Sequence, residues 1–267
     1  MKTSLLKYLS SVAATFFLMT SCLGDAESSY DAGRDFVYIT ETESFIKVAA
    51  GSPGYISHEV INNLQLGECY FISYKIKGSS NVTGIYKADK AEVLDNGVQI
   101  PKGYFYWSTK PMSNVPDEQR NDTIAPRTFI LGTAYPGTYI KDTWMFSYNA
   151  SLKNGDLVVP YFYYDSTNQK DDSGKDLEKN RIVIDVRFVK TEVGSSTESA
   201  SVVSRNVVVN MSELRKNYIP TYDGVNNVNV PIRFRYHRYV ADDKPATVEW
   251  IGSWSIENAY FMTFSKE

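Results

Sequence analysis

Short runs in which apolar and polar residues alternate predict the folded part of the chain. In the run RIVIDVRFVK, Ile184 and Val186 fall on one side of the predicted strand, whereas Asp185 falls on the other. A period of two is typical of a half-buried strand in an antiparallel sheet. Similar runs separated by polar turns recur from residue 128 onwards, and this repetition indicates a β-sandwich.

A second group of short strand-like runs precedes the sandwich. The run CYFISYKIKG, for example, begins at Cys69 and ends at Gly78. Several strands within so short a stretch are typical of a small Greek-key barrel such as the OB-fold. We therefore predict an all-β protein, with a small OB-like barrel over residues 36–100 followed by an antiparallel β-sandwich over residues 101–267.

Two segments interrupt this pattern. Residues 103–128 contain prolines and many polar residues and are apolar only at their beginning, so most of this segment is predicted to be a connector or a long loop. The run NMSELRKNY places Asn210 three residues before Glu213, a spacing similar to a capping box, which predicts a short helix between strands.

The beginning of the chain has the layout of a secretory signal. A basic start is followed by an uncharged apolar run from Tyr8 to Met19, which is shorter than the roughly 20 residues that span a bilayer. The run ends in MTSC, which resembles a bacterial lipobox and implies cleavage before Cys22 and a diacylglycerol group on its thiol. The alternative is a plain secreted protein. We predict a lipoprotein signal peptide over residues 1–21 and a lipidated flexible tether over residues 22–35.

The predicted location of the protein in the cell follows from the same N-terminal segment. A lipidated cysteine predicts anchoring in the outer membrane, because several acyl chains together form a stable tether. Asp25 and Glu27 resemble an export signal of some surface lipoproteins, which leaves a cell-surface orientation open. The formal net charge of −3 gives no basic excess for nucleic acid, so no nucleic-acid partner is expected.

Motifs of catalysis and metal binding are absent from the sequence. The two histidines, His58 and His237, are far apart, and no zinc, P-loop, dinucleotide or serine-hydrolase motif occurs. Ser44 and Lys47 form an S-x-x-K pair, but a strand would turn them to opposite faces. Cys69 lies in an apolar run and is predicted to be a buried thiol. We therefore expect no catalytic residue, no metal and no cofactor.

Acidic residues supply the alternative to a protein without a metal site or a catalytic site. The loop DSTNQKDDSGKDLEKN is rich in carboxylates that could bind calcium, although its lysines favour a solvated hairpin loop. With 31 Asp and Glu residues in the chain, a glycan-active enzyme with an unrecognised carboxylate pair also stays open.

Aromatic clusters are the strongest candidates for a binding surface. Tyr104 to Trp107 reads YFYW and Tyr161 to Tyr164 reads YFYY, so each run places aromatic rings on both faces of a strand. Exposed tyrosine and tryptophan are favoured at binding surfaces. We predict Trp107, Tyr161 and Tyr163 as ligand-binding residues; the alternative is that both faces are buried.

One further run combines aromatic and basic residues. In RFRYHRY, the side chains of Arg233, Arg235 and His237 share one strand face, which could bind an anion or lie in solvent.

Several segments resemble the NigD-like lipoproteins. These are LQLGECYFISYKIKG, KDTWMFSYNASLKNGDLVV, and NVVVNMSELRKNY followed by VPIRFRYHRY. The resemblance implies an OB-like N-terminal domain, a C-terminal β-sandwich and a lipid anchor, and it brings no catalytic residues. From these features together we expect a non-catalytic binding or assembly role in the cell envelope. The expected partners are the membrane, through the lipid anchor, and a glycan or an envelope protein.

Overall fold

The structure is a computed structural model of the chain. It describes residues 29–81, 83–108, 123–134, 142–195, 197, 199–242, 244–255 and 260–266. The predicted signal peptide and Cys22 lie outside the described residues.

The first unit is a closed five-stranded barrel with the order β1-β2-β3-β5-β4. Its strands are β1 (Ser29–Glu41), β2 (Lys47–Gly51), β3 (Gly54–Ser57), β4 (Cys69–Lys77) and β5 (Ile85–Val93). Helix α1 (Glu59–Asn62) connects β3 to β4, and a 3₁₀ turn (Asp95–Gly97) follows β5. A small closed barrel of five strands confirms the OB-like prediction.

Strand β1 starts earlier than the sequence indicated. The predicted tether ran to residue 35, but β1 begins at Ser29 and pairs with β4 from that residue on. Its polar start is held by contacts: Tyr30 stacks on Tyr74 at 5.9 Å, and the buried Asp35 accepts a hydrogen bond of 2.6 Å from the Tyr74 hydroxyl. The barrel therefore includes residues 29–35.

The second unit consists of a seven-stranded sheet and a three-stranded sheet. The larger sheet has the order β14-β13-β11-β10-β6, with β15 also paired to β13 and β7 to β11, and the smaller has the order β12-β9-β8. Its strands are β6 (Tyr104–Ser108), β7 (Thr123–Ile124), β8 (Thr128–Ala134), β9 (Thr143–Leu152), β10 (Leu157–Asp165), β11 (Ile182–Glu192), β12 (Ser201–Asn210), β13 (Asn227–Arg238), β14 (Thr247–Ile251) and β15 (Tyr260–Ser265).

The larger sheet is mixed and not purely antiparallel. β6 runs parallel to β10, and β11 runs parallel to β13. Between β11 and β13 the chain passes through β12 in the other sheet and helix α2 (Ser212–Asn217). This crossover lets β13 run parallel to β11. The segment predicted as a connector contributes strands β6 and β7 to this sheet.

Aromatic rings fill the space between the two sheets. Phe146 from the smaller sheet meets Phe234 from the larger sheet edge to face, with ring centroids 4.9 Å apart. Phe129 meets Phe188 in the same way at 5.3 Å. All four side chains are buried, and edge-to-face packing is the arrangement that aromatic quadrupoles favour. This core fixes which side of the larger sheet faces outward.

A smaller apolar cluster joins the barrel to the second unit. Phe71 and Cys69 of β4 pack with Ile100, Met145 and Val208. The short helix predicted after Asn210 is present as α2, but the predicted cap is wrong: Met211 is the N-cap and its side chain makes no capping hydrogen bond. Asn210 Oδ1 instead accepts a hydrogen bond of 2.8 Å from the backbone N–H of Ser212.

Candidate ligand-binding face

The candidate site lies on the side of the seven-stranded sheet that is turned away from the aromatic core, here called the outer face. This face exists because successive side chains along each strand point to opposite sides of the sheet. In β10, Phe162 and Tyr164 are buried inward, so Tyr161 and Tyr163 point outward. In β11 the outward positions include Asp185 and Arg187, because Ile184 and Val186 belong to the core.

Four tyrosines form a stacked ladder on this face. Tyr106 lies 5.4 Å from Tyr163 and 6.0 Å from Tyr161 between ring centroids, and Tyr104 lies 5.7 Å from Tyr161. The interplanar angles of these pairs are 19° to 29°, so the rings are nearly parallel. Tyr104 and Tyr106 are 51% and 45% exposed. We call Tyr104, Tyr106, Tyr161 and Tyr163 the tyrosine ladder.

The structure separates the three predicted ligand-binding residues. Tyr161 and Tyr163 belong to the tyrosine ladder, but Trp107 occupies an inward position of β6. Its ring stacks on Tyr164 with centroids 4.3 Å apart and packs against the aromatic core. Trp107 is therefore a packing residue, and Tyr104 and Tyr106 take the outward place that was predicted for it.

Charged side chains lie beside the ladder. Asp185 faces Tyr163 across the β10–β11 pairing and is 5% exposed. Arg235 of β13 donates to both of its carboxylate oxygens, from Nε to Oδ1 at 2.6 Å and from Nη2 to Oδ2 at 2.8 Å. Hydrogen bonding to Asp185 raises the pKa of Arg235 above its usual value. The pair is a fixed polar element next to the tyrosines.

Tryptophan covers the far side of the outer face. The guanidinium of Arg233 lies 4.7 Å from the ring centroid of Trp250 and 5.2 Å from that of Trp254, both cation–π distances. It also pairs with Asp172 of the β10–β11 loop at 3.2 Å. The predicted alternation in RFRYHRY is correct, because Phe234 and Tyr236 are buried inward. The outward arginines pack against rings and carboxylates, so this face is only partly solvated.

Other sequence candidates have structural roles. Burial raises the pKa of the Cys69 thiol to about 12, which keeps it protonated and unreactive at neutral pH. Lys47 donates to the backbone carbonyls of Asn62 and Leu64 at 2.9 and 3.0 Å, so its ammonium group is bound in the barrel. The Asp171 carboxylate accepts hydrogen bonds from Ser173 and Lys175 within its own turn.

The described residues contain neither a metal-binding cluster nor a membrane-spanning helix. No group of three or more His, Cys, Asp or Glu side chains in the described ranges is arranged to hold a metal ion. In the same part of the chain, no helix has the length and apolar character needed to cross a membrane.

Comparison with known proteins places the fold among solved structures. An uncharacterized protein from Parabacteroides merdae ATCC 43184 is similar, with a TM-score of 0.54, 12% identity, and coverage of 88% of this chain and 99% of that one. A protein of Bacteroides fragilis NCTC 9343, described as a candidate lipoprotein, matches with a TM-score of 0.52, 10% identity, and coverage of 84% and 96%. No protein-family model and no curated protein matches the chain. At these identities the likeness shows the fold alone.

Proposed function

We propose that the protein is a lipid-anchored component of the bacterial cell envelope that binds a carbohydrate on its outer face without catalysing a reaction. The tyrosine ladder carries this proposal. It places two half-exposed rings, Tyr104 and Tyr106, on a rigid strand beside fixed charges. Protein side chains on regular strands are positioned more accurately than those on loops.

Carbohydrate suits this surface because a sugar ring has an apolar face and a polar rim. The electron-rich face of a tyrosine ring attracts the C–H groups of a sugar, and the hydroxyl groups at its edge supply hydrogen bonds. Burial and the neighbouring tyrosines raise the pKa of Tyr161, so its hydroxyl stays protonated and able to donate at neutral pH. Asp185 and Arg235 pair beside Tyr163 and hold this part of the face in a fixed arrangement.

The anchor rests on the sequence. The MTSC segment resembles a lipobox with Cys22 as its lipidated residue. The similar fold of a candidate lipoprotein from Bacteroides fragilis supports the proposal of anchoring. We propose the outer membrane as the location and the cell surface as the orientation.

A carboxylate pair on this face would favour the alternative, a glycan-active enzyme. Asp185 and Asp165 are both buried at outward positions of neighbouring strands. Arg235 occupies both oxygens of Asp185, and the Asp165 Oδ1 atom accepts hydrogen bonds of 2.8 and 2.6 Å from Thr167. Both oxygens of Asp185 are therefore already engaged and are not free to act on a glycosidic bond. The hydrogen bonding of both groups supports binding without turnover.

Affinity electrophoresis tests the proposal. The full-length protein in detergent is run through gels that contain a panel of neutral and acidic polysaccharides. We expect at least one polysaccharide to retard the wild type and to have little effect on Tyr106→Ala. The matched control is Tyr30→Ala, which removes a tyrosine of similar exposure, 40%, from the barrel. Equal migration in every gel contradicts carbohydrate binding.

The same polysaccharides separate binding from catalysis. Each is incubated with the protein, and the reducing ends are measured over time. We expect binding without an increase in reducing ends. An increase that depends on Asp185 or Asp165 would establish the enzyme.

A further inference from the structure

A pocket of about 70 Å³ lies at a junction of three strands. β13 pairs with β11 as far as Val186, and β7 takes over the same edge of β11 at Phe188. Arg187 lies between these two pairings, and its side chain lines the pocket together with Thr123 and His237. The volume suits a group of a few atoms, since one water molecule needs roughly 10–15 Å³ on this measure.

Arg187 is buried without a full set of partners. The residue is 6% exposed, and its Nε atom has no hydrogen-bond partner among the described residues. The hydroxyl of Thr123 is also buried and unpartnered in that part of the chain. The nearest acid on the same strand face, Asp185, already has both oxygens occupied by Arg235. A buried donor without an acceptor is costly, so the arrangement indicates that a ligand supplies the acceptor.

The missing acceptor is best matched by a single negative charge. Arginine stays protonated in proteins, and none of the described residues that line the pocket is acidic. A carboxylate has one charge and two acceptor oxygens, enough for the Nε–H of Arg187 and the hydroxyl of Thr123. A phosphate dianion would bring a second charge that the described residues of the pocket do not balance.

We propose that this pocket binds the carboxylate of an acidic sugar whose ring contacts the tyrosine ladder. The inference rests on the proposed function. Arg187 is the direct cross-strand neighbour of Tyr161, so the pocket and the ladder adjoin on the outer face. The ladder binds the sugar ring, and the pocket selects uronic-acid residues over neutral ones.

Isothermal titration with matched ligands tests this selection. The full-length protein in detergent is titrated with oligogalacturonate, oligomannuronate and hyaluronan oligosaccharides, and with the methyl ester of each. The ester keeps the ring and removes the charge. We expect at least one acid to bind about tenfold more tightly than its ester, as loss of a charge-assisted hydrogen bond predicts. Arg187→Met should remove the difference, and Thr123→Val should reduce it.

The outcomes separate this inference from the proposed function. Equal affinity for acid and ester, an unchanged preference in Arg187→Met, or no binding of any acid overturns the acidic-sugar inference. If esters or neutral glycans still bind and Tyr106→Ala abolishes that binding, the proposed function holds and only the acidic-sugar inference fails. If no glycan of any kind binds, both fail. Thermal unfolding of each variant shows whether a lost preference for the acid comes from loss of the fold. Thr123→Val conserves the shape of the side chain, so its reduced preference for the acid is a second measurement of the same pocket.

Discussion

Arg235 and Asp185 form a two-point ion pair on neighbouring parallel strands, with hydrogen bonds of 2.6 and 2.8 Å between guanidinium and carboxylate. Arg187, two residues from Asp185 on the same strand face, is more deeply buried than Arg235, yet its Nε atom has no partner in the described residues. Arg235 therefore serves the fold, whereas Arg187 keeps a donor that we propose is used by a ligand.

The two arginines should differ in their effect on stability. Arg235→Met leaves the buried Asp185 carboxylate without its guanidinium, and we expect a loss of about 3 kcal/mol in the free energy of unfolding. Arg187→Met removes a buried charge whose Nε atom is unpartnered, so we expect a change within about 1 kcal/mol, or a gain. Urea denaturation of the two variants measures both values. Equal destabilisation by both substitutions would contradict the assigned roles.

Trp107 and Tyr106 are adjacent in β6 and should respond in opposite ways. Trp107→Ala removes a ring packed on Tyr164 and the aromatic core, and we expect a loss of about 3 kcal/mol in stability. Tyr106→Ala removes a half-exposed ring, and its effect on stability should stay below about 1 kcal/mol while glycan binding weakens. Denaturation curves and affinity gels on the same preparations compare them. A stable Trp107→Ala variant would place that ring outside the core.

Asp156 should make stability dependent on acid pH. Lys190 Nζ lies 2.8 Å from its carboxylate, and the backbone N–H of Gly194 donates to it at 2.7 Å. These contacts lower the pKa of Asp156 from 3.8 to about 2. Because the folded-state pKa lies below that of the unfolded chain, the contribution is complete above pH 4 and disappears as the pH falls towards 2.

Asp156→Asn tests this dependence. The variant should be less stable than the wild type at neutral pH, and the difference should shrink between about pH 4 and pH 2. Urea midpoints measured across this range give the result. A difference that is constant with pH would show that the amide disturbs packing rather than charge.

Cys22→Ala should release the protein from the membrane. The predicted lipobox places a covalent lipid anchor on this thiol, so the variant should move from the membrane fraction to the soluble fraction. Protease treatment of intact cells tests on which side of the outer membrane the protein lies. Cleavage of the wild type supports exposure at the cell surface, and protection supports a location in the periplasm. A variant that stays in the membrane fraction would refute lipid anchoring at Cys22.

Strand faces could be predicted from the sequence, because alternation is a local property. The run around Phe234 and Tyr236 correctly separated buried rings from outward arginines, and the run around Ile184 did the same for the central strand. Alternation contains no information about the direction of a neighbouring strand. The parallel pairings of β6 with β10 and of β11 with β13 depend on crossovers through the other sheet.

The binding face could be predicted only in part. Each of the runs YFYW and YFYY divides into two faces, but the sequence does not say which face of one run joins which face of the other. The register that pairs Trp107 with Tyr164 decides this, and it packs Trp107 against the core. The ion pair of Arg235 with Asp185 depends on register in the same way. The polar start of β1 gave no strand signal, because its structure comes from pairing with β4.

The most direct test of carbohydrate binding is isothermal titration of the wild type and of the double variant Tyr106→Ala, Tyr163→Ala. The ligand is an oligosaccharide of the polysaccharide that retards the wild type most strongly, and Tyr30→Ala is titrated in parallel as the control. Loss of two stacking contacts should weaken binding by at least about tenfold, while the control keeps wild-type affinity. Equal affinity of the double variant and the wild type, with unchanged thermal unfolding, would contradict binding at the tyrosine ladder.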